Sequence, residues 1–337
     1  MNCDADGCYL HTRLYKLNLK HKLDSVVTTI LFSLCGFSGC VTLEKEVPLP
    51  SLDSNESEIT YDLPHRDEVI AQPVTPLLQR SGGLAFSEQG TLFFANHEKS
   101  GTIGKYQLGQ ESKPETFIDL SEWISSSGDQ DLRVEGLRID AKGRLLIAEA
   151  GTGKLIRVSP DARKLEILAD SYDGYRFATV KDLAIGSNGD LYASSPYSGT
   201  VYRIRPDAGY VGILNEDLVR VEGLAISPDG KSLVAAEPDA SRIVVFDIPD
   251  ELELVTSWTL VDFSPSGVEP KGVVFDEKGR LFVALGDREE VRVFDLVKGE
   301  ELVVYDAGGV AESLTYRDGS LFVSGGDRIR RMRLRAK

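Results

Sequence analysis

The chain has 337 residues, with 53 acidic side chains against 38 Lys and Arg and a formal net charge of -15. Such an excess of carboxylates repels phosphate backbones and excludes nucleic acid as a ligand class. Hydrophobic residues make up 42% of the chain, enough for a buried core, and long amphipathic helical patterns are absent from the sequence.

From the start of the chain, Arg13, Lys16, Lys20 and Lys22 precede an apolar run from Val26 to Gly39. The run is too short to span a bilayer but suits the apolar part of an export signal. Its end, Phe37-Ser38-Gly39-Cys40, resembles a bacterial lipobox, although Phe37 stands where Leu is usual. Residues 1–40 are therefore expected to direct export to a bacterial periplasm or cell surface. Cys40 would be lipidated, and the lipid anchor would be the only membrane contact. An uncleaved anchor and a soluble protein with an unusual leader are the alternatives. All four cysteines, Cys3, Cys8, Cys35 and Cys40, fall in this leader, so the rest of the chain offers no disulfide framework and no cysteine metal site. Residues 41–68, with Pro48, Pro50, Ser51, Ser54, Ser57 and Pro64, predict a disordered tether.

The remainder, 69–337, is a set of six repeats beginning at Gly82, Glu135, Lys181, Glu222, Lys271 and Glu312. The copy VEGLAISPDGKSLVAAEPDASRIVVFDI, Val221 to Ile248, divides into three apolar strands joined by two tight turns, with Asp229-Gly230 supplying the positive-φ position. Copies start roughly 40 to 50 residues apart, the period of a four-stranded propeller blade. A fourth strand follows five of the copies, at Thr116–Leu120, Leu165–Ala169, Tyr210–Leu214, Val255–Val261 and Leu302–Tyr305. The sixth copy runs to the end of the chain, so Gln72 to Gln79 is expected to supply its outer strand. The pattern predicts an all-β, six-bladed β-propeller of four antiparallel strands per blade, closed by its N-terminal strand. A monomer is expected.

In a propeller the first residue of each inner strand opens onto one face of the central channel. That places Gly82, Glu135, Lys181, Glu222, Lys271 and Glu312 in one ring. The turns between second and third strands, with Asn96, His97, Glu98, Glu149, Glu237, Asp287 and Asp327, are expected at the same face, and Trp123 and Tyr172 to Phe177 in its wall. His97 is the only histidine within the repeats, which argues against histidine dyads and histidine-rich metal sites. No Gly-x-Ser-x-Gly elbow occurs. Gly151-Thr152-Gly153-Lys154 lacks the hydroxyl residue of a phosphate loop and reads as a strand-to-strand hairpin.

The repeats resemble the senescence marker protein and gluconolactonase (LRE-like) family of six-bladed propeller hydrolases, most specifically over Glu135 to Gly199. That segment reads EGLRIDAKGRLLIAEAGTGKLIRVS, then LADSYDGYRFATVKDLAIGSNGDLYASSPYSG. The resemblance implies a hydrolase opening a sugar lactone or small cyclic ester at the channel mouth. It implies a divalent cation, calcium above all, that polarises the lactone carbonyl while an acidic residue activates water. The family's ligands are a Glu in blade one, an Asn in blade four and an Asp in blade five. The matching positions here are Gly82, Glu222 and Lys271. Asp182 matches the family's blade-three acid, and Arg176 the arginine of its substrate loop.

An ammonium about 6 Å from a doubly charged cation costs roughly 5 kcal/mol at an effective dielectric near 20, so Lys271 bears directly on metal binding. One reading has Glu222, with Glu135 or Glu312, holding a displaced cation while Lys181 and Lys271 face an anionic substrate. Another makes a lysine of depressed pKa the catalytic base. These readings put Glu222, Lys181, Asp182 and Lys271 in the chemistry and Arg176, Trp123 and His97 on the substrate. The third reading is a non-catalytic binding propeller, for ligand or protein, whose metal site has become a Glu/Lys salt-bridge ring.

Overall fold

The computed structural model describes residues 63–334, apart from 79, 110–112, 126–130 and 249–254. These residues belong to one compact unit, Tyr61–Lys337. The export signal, Cys40 and the tether up to residue 62 lie outside the described residues.

Six four-stranded antiparallel sheets form the blades of a β-propeller. Their inner strands are Leu84–Phe86, Val134–Ile139, Leu183–Ile185, Leu224–Ile226, Pro270–Phe275 and Ser313–Arg317. In blades one to five each sheet is a simple meander, because each turn is short and its chemistry is local. At Ser227-Pro228-Asp229-Gly230 the Gly230 amide donates to the Ser227 carbonyl at 2.8 Å with Gly230 at φ 73°. The Asp229 carboxylate accepts from Ser227 Oγ at 2.6 Å and from the Lys231 amide at 3.1 Å. Gly90, Gly143, Gly189 and Gly279 take the same left-handed position and close the same amide-to-carbonyl turn in four other blades, whereas blade six turns more tightly on Asp318-Gly319, both at positive φ, between the paired Arg317 and Ser320.

The core lies between neighbouring blades, since each sheet is apolar on both faces. Phe282, Val291 and Val293 of blade five, for example, pack with Leu314, Leu321 and Val323 of blade six. The ring closes where blade six meets blade one. There Leu84, Leu92 and Phe94 share a cluster with Phe322 and Ile329, and the Arg317 guanidinium donates to the Ser87 carbonyl at 2.6 Å and the Glu88 carbonyl at 2.8 Å.

The closing strand is shorter than Gln72 to Gln79. Only Gln72 and Pro73 pair as a strand, opposite Arg331 and Arg330. Pro73 and Pro76 carry no amide hydrogen to extend the ladder. The segment continues through single bonds, Val74 amide to Ile329 carbonyl at 2.9 Å and Leu78 amide to Asp327 carbonyl at 2.8 Å.

The tether boundary at residue 68 is also corrected. Leu63 packs against the core shared by blades five and six, and Val69 is buried in it. Tyr305 Oη donates to the Pro64 carbonyl at 3.0 Å, and His65 caps a single turn of 3-10 helix, Arg66–Glu68. Apolar side chains at both ends of a polar stretch hold it down.

Candidate functional site

The inner strands crowd together around the axis. The second residue of each repeat is Gly83, Gly136, Gly223 or Gly272 in four blades because the next blade's backbone leaves no room for a side chain. A Cβ would fall 2.1 Å from the Glu135 carbonyl oxygen at Gly83 and 2.3 Å from that of Lys271 at Gly223. Blade three has Asp182 at this position. Its Oδ2 accepts from the Leu224 amide at 3.0 Å and from Arg138 Nη2 at 3.2 Å. Arg138 also donates to the Leu224 carbonyl at 3.0 Å, tying blades two, three and four across the channel. Asp182 also lines the cavity, but its carboxylate is engaged in this bridge between blades.

Above this constriction lies a cavity of about 210 Å3 lined by the ring residues. Glu135, Lys181, Glu222, Lys271 and Glu312 are brought together there as the repeats predict, with Gly82 beside them. Charges alternate. Lys181 Nζ lies 3.0 Å from Glu135 Oε2, and Lys271 Nζ lies 3.0 Å from Glu269 Oε2 and 3.8 Å from Glu222 Oε1.

Two arginines missed in the sequence complete the pairing. Arg133 Nε lies 2.9 Å from Glu135 Oε1, an ion-pair contact without hydrogen-bond geometry, and Arg220 Nη2 lies 2.6 Å from Glu222 Oε1. The available signal was the repeated Arg-Val-Glu-Gly-Leu that opens blades two and four, residues 133–137 and 220–224.

Glu312 is exposed at the cavity, and among the described residues no cation lies within ion-pair distance of it. It still acts at longer range. Burial pulls the Lys181 ammonium towards a lower pKa, but Glu135, Glu222 and Glu312 outweigh that and raise it above the ordinary lysine value. Lys181 is a fixed cation. The expectation of a lysine of depressed pKa as the base finds no support at Lys181, because carboxylates around an amine favour its protonated form.

The cation that the family implies does not fit these residues. Glu135 and Glu222 each spend their carboxylates on Arg and Lys partners, and Lys271 stands at a family ligand position. At Gly82, another such position, a Cβ would already press on Ala95 Cβ at 3.1 Å and Asn96 Nδ2 at 3.3 Å. No group of three potential metal ligands occurs among the described residues. Glu222 and Glu135 are thus engaged elsewhere and not free, with Glu312, to form the expected calcium-holding set.

Three further residues lie elsewhere. Arg176, Trp123 and His97 do not line the cavity. Arg176 sits exposed on a two-stranded hairpin between blades two and three, paired with Ser171. Trp123 is 44% exposed and ends a 3-10 turn that follows blade one. His97 stacks edge-on against Phe94, centroids 5.2 Å apart. The second-to-third-strand turns also do structural work. Glu149 accepts from the amides of Arg133 and Gly151 at 2.8 Å, Glu237 from the Val219 amide at 2.6 Å, and Asn96 Nδ2 donates to the Val134 carbonyl at 2.9 Å. Each fastens the loop that leads into a blade.

Fold and cavity together define a six-bladed β-propeller with a charged, largely self-paired set of residues lining one cavity. Residues 163–316 match the model of the SMP-30/Gluconolactonase/LRE-like region. It is similar to a gluconolactonase of Zymomonas mobilis, 29% identical over 174 residues that cover 44% of this chain and 48% of that protein. It is also similar to lactonase drp35 of Staphylococcus saprophyticus, 24% identical over 74% of this chain and 79% of that one. Among solved structures a gluconolactonase from Xanthomonas campestris superposes with a TM-score of 0.68 at 22% identity, covering 80% of this chain and 91% of that one. The chain spans about half the length of the first curated relatives it matches.

Proposed function

We propose that this chain is a lactonase-type hydrolase that opens a sugar lactone or another small cyclic ester in the cavity at the channel mouth. The similarity to gluconolactonases and a lactonase supports the reaction class. The observation that carries it to this site is the carboxylate of Glu312, without a cation at ion-pair distance among the described residues, which lines the same cavity as Lys181 three blades away and helps to hold that ammonium charged. Glu312 takes a proton from water as the water oxygen bonds to the lactone carbonyl carbon. The carbonyl electron pair moves onto oxygen, where the Lys181 ammonium stabilises it. Collapse of that intermediate breaks the ring C–O bond, and the leaving alkoxide recovers the proton from Glu312, giving the hydroxy acid. Lys271, paired with Glu269, adds positive potential.

Proton release from a panel of sugar lactones tests this. Glu312→Gln should lower kcat by about 100-fold or more while melting like the parent, the usual contribution of a positioned general base. A panel with no turnover by the parent chain removes the hydrolase reading. The paired state of Glu135 and Glu222 favours, in that event, a binding propeller whose ring is a salt-bridged plug. The working form is proposed to be exported and tethered through Cys40, which mass spectrometry of the membrane fraction would register as a lipid adduct.

A further inference from the structure

One part of the ring is incomplete in a way that points to a ligand group. In blades two and four the arginine two residues before the ring position is neutralised by the ring glutamate, Arg133 by Glu135 at 2.9 Å and Arg220 by Glu222 at 2.6 Å. In blade five the polarity is reversed but the pair is kept, Glu269 with Lys271 at 3.0 Å. Blade one carries the same arginine, Arg80 in Arg80-Ser81-Gly82-Gly83-Leu84, yet its ring position is Gly82. Arg80 lines the cavity, is exposed, and has no carboxylate within ion-pair distance among the described residues. This happens in a chain with 53 acidic residues against 38 basic ones.

The backbone beside Arg80 is rigidly placed. Ser81 is fully buried, its amide donates to the Gly326 carbonyl at 2.9 Å, and its hydroxyl accepts from the Gly325 amide at 3.1 Å. Ser324 Oγ holds the Gly82 carbonyl at 2.5 Å. Arg80 thus projects from an anchored strand start, next to blade six, whose ring residue is the unpaired Glu312. One orphan cation and one orphan anion flank the seam where the ring closes.

We infer that Arg80 receives a carboxylate borne by the substrate, so that the preferred lactones are anionic, formed from sugar acids with a second carboxyl group. The ligand carboxylate takes the place that the glutamate side chain holds in blades two and four. A guanidinium fork suits that geometry, presenting parallel donors to both oxygens. Seated there, the substrate places its lactone ring in the cavity between Glu312, in the neighbouring blade, and Lys181 in blade three. This inference rests on the hydrolase reading for its catalytic part, but binding to Arg80 does not depend on turnover.

The test compares D-glucaro-1,4-lactone with D-glucono-1,4-lactone, which differ at C6 as carboxylate and hydroxymethyl. The carboxylate lactone should show a kcat/KM higher by about 10-fold or more, through KM. In Arg80→Gln its KM should rise until the ratio of the two lactones approaches one. Equal kcat/KM in the parent, or a ratio unmoved by Arg80→Gln, overturns the inference. Calorimetric titration with D-glucarate separates the two readings. Binding that Arg80→Gln abolishes, without turnover of either lactone, keeps the carboxylate site and removes the hydrolase. Turnover of the neutral lactone with no glucarate binding does the reverse.

Discussion

Lys181 Nζ lies 3.0 Å from Glu135 Oε2, linking the first ring residue of blade three to that of blade two. The contact joins residues 46 apart in sequence and satisfies two charges that each inner strand alone would leave facing the other. It also sets the protonation state of the ring. The folded-state pKa of Lys181 lies above its ordinary value of 10.5. Its contribution to stability is therefore complete below about pH 10.5, the unfolded-state value, and is lost as pH rises through the higher folded value. Melting temperatures of the parent and Lys181→Met should differ by a constant amount from neutral pH up to that range and converge above it. A gap that closes near neutral pH would mean that the lysine is not held as a cation.

Asp182 and Arg138 should behave as structural partners. Asp182→Ala leaves the Leu224 amide without its carboxylate acceptor and a half-buried guanidinium without its counter-charge, at a cost of about 2–4 kcal/mol in chemical denaturation. Asp182→Asn, which keeps an oxygen in place, should cost about half of that. An Ala variant as stable as the parent would contradict the bridge across blades two, three and four.

The close approach of the inner strands is tested at Gly83. Gly83→Ala puts a methyl group where only 2.1 Å separates it from the Glu135 carbonyl oxygen, and forcing the blades apart should cost about 1–3 kcal/mol. Gly286→Ala, whose methyl would meet the Ala311 carbonyl oxygen at 3.4 Å, serves as the comparison and should be nearly neutral.

Calcium should leave the melting temperature unchanged. A ligand bound only by the folded state raises stability with its concentration, and the ring carboxylates of Glu135 and Glu222 are already engaged by Arg and Lys. Melting curves with calcium chloride and with chelator should superimpose. A saturable rise with calcium would show that the ion pairs yield to a metal.

The segment ahead of Val69 is held against blades five and six by a few contacts between distant parts of the chain. Tyr305 is buried, its hydroxyl donates to Pro64, and burial pushes its pKa up to about 12. Tyr305→Phe removes that bond and should cost about 1 kcal/mol. Protease cleavage ahead of Val69 should accelerate in the variant if Leu63 to Glu68 is fastened there.

The sequence by itself determined the propeller. Turn glycines at Gly90, Gly143, Gly189, Gly230, Gly279 and Gly319 recur in the first turn of every repeat, and turn type and strand alternation are local properties of a few neighbouring residues. It likewise placed Glu135, Lys181, Glu222, Lys271 and Glu312 in one ring, because the repeat register puts equivalent residues at equivalent points. Only the tertiary structure decided what those charges do. Whether Glu222 meets a metal, Lys271 or Arg220 depends on distances between blades and within loops of a few ångströms, and ion pairing varies steeply over that range. The same reason separates Asp182, locked under Arg138, from Glu312, left open at the cavity: both are acids in inner strands, and only the neighbouring blades distinguish them. Arg80 stands out for what is missing beside it, a relationship that became meaningful once Arg133 and Arg220 were seen paired in the equivalent positions.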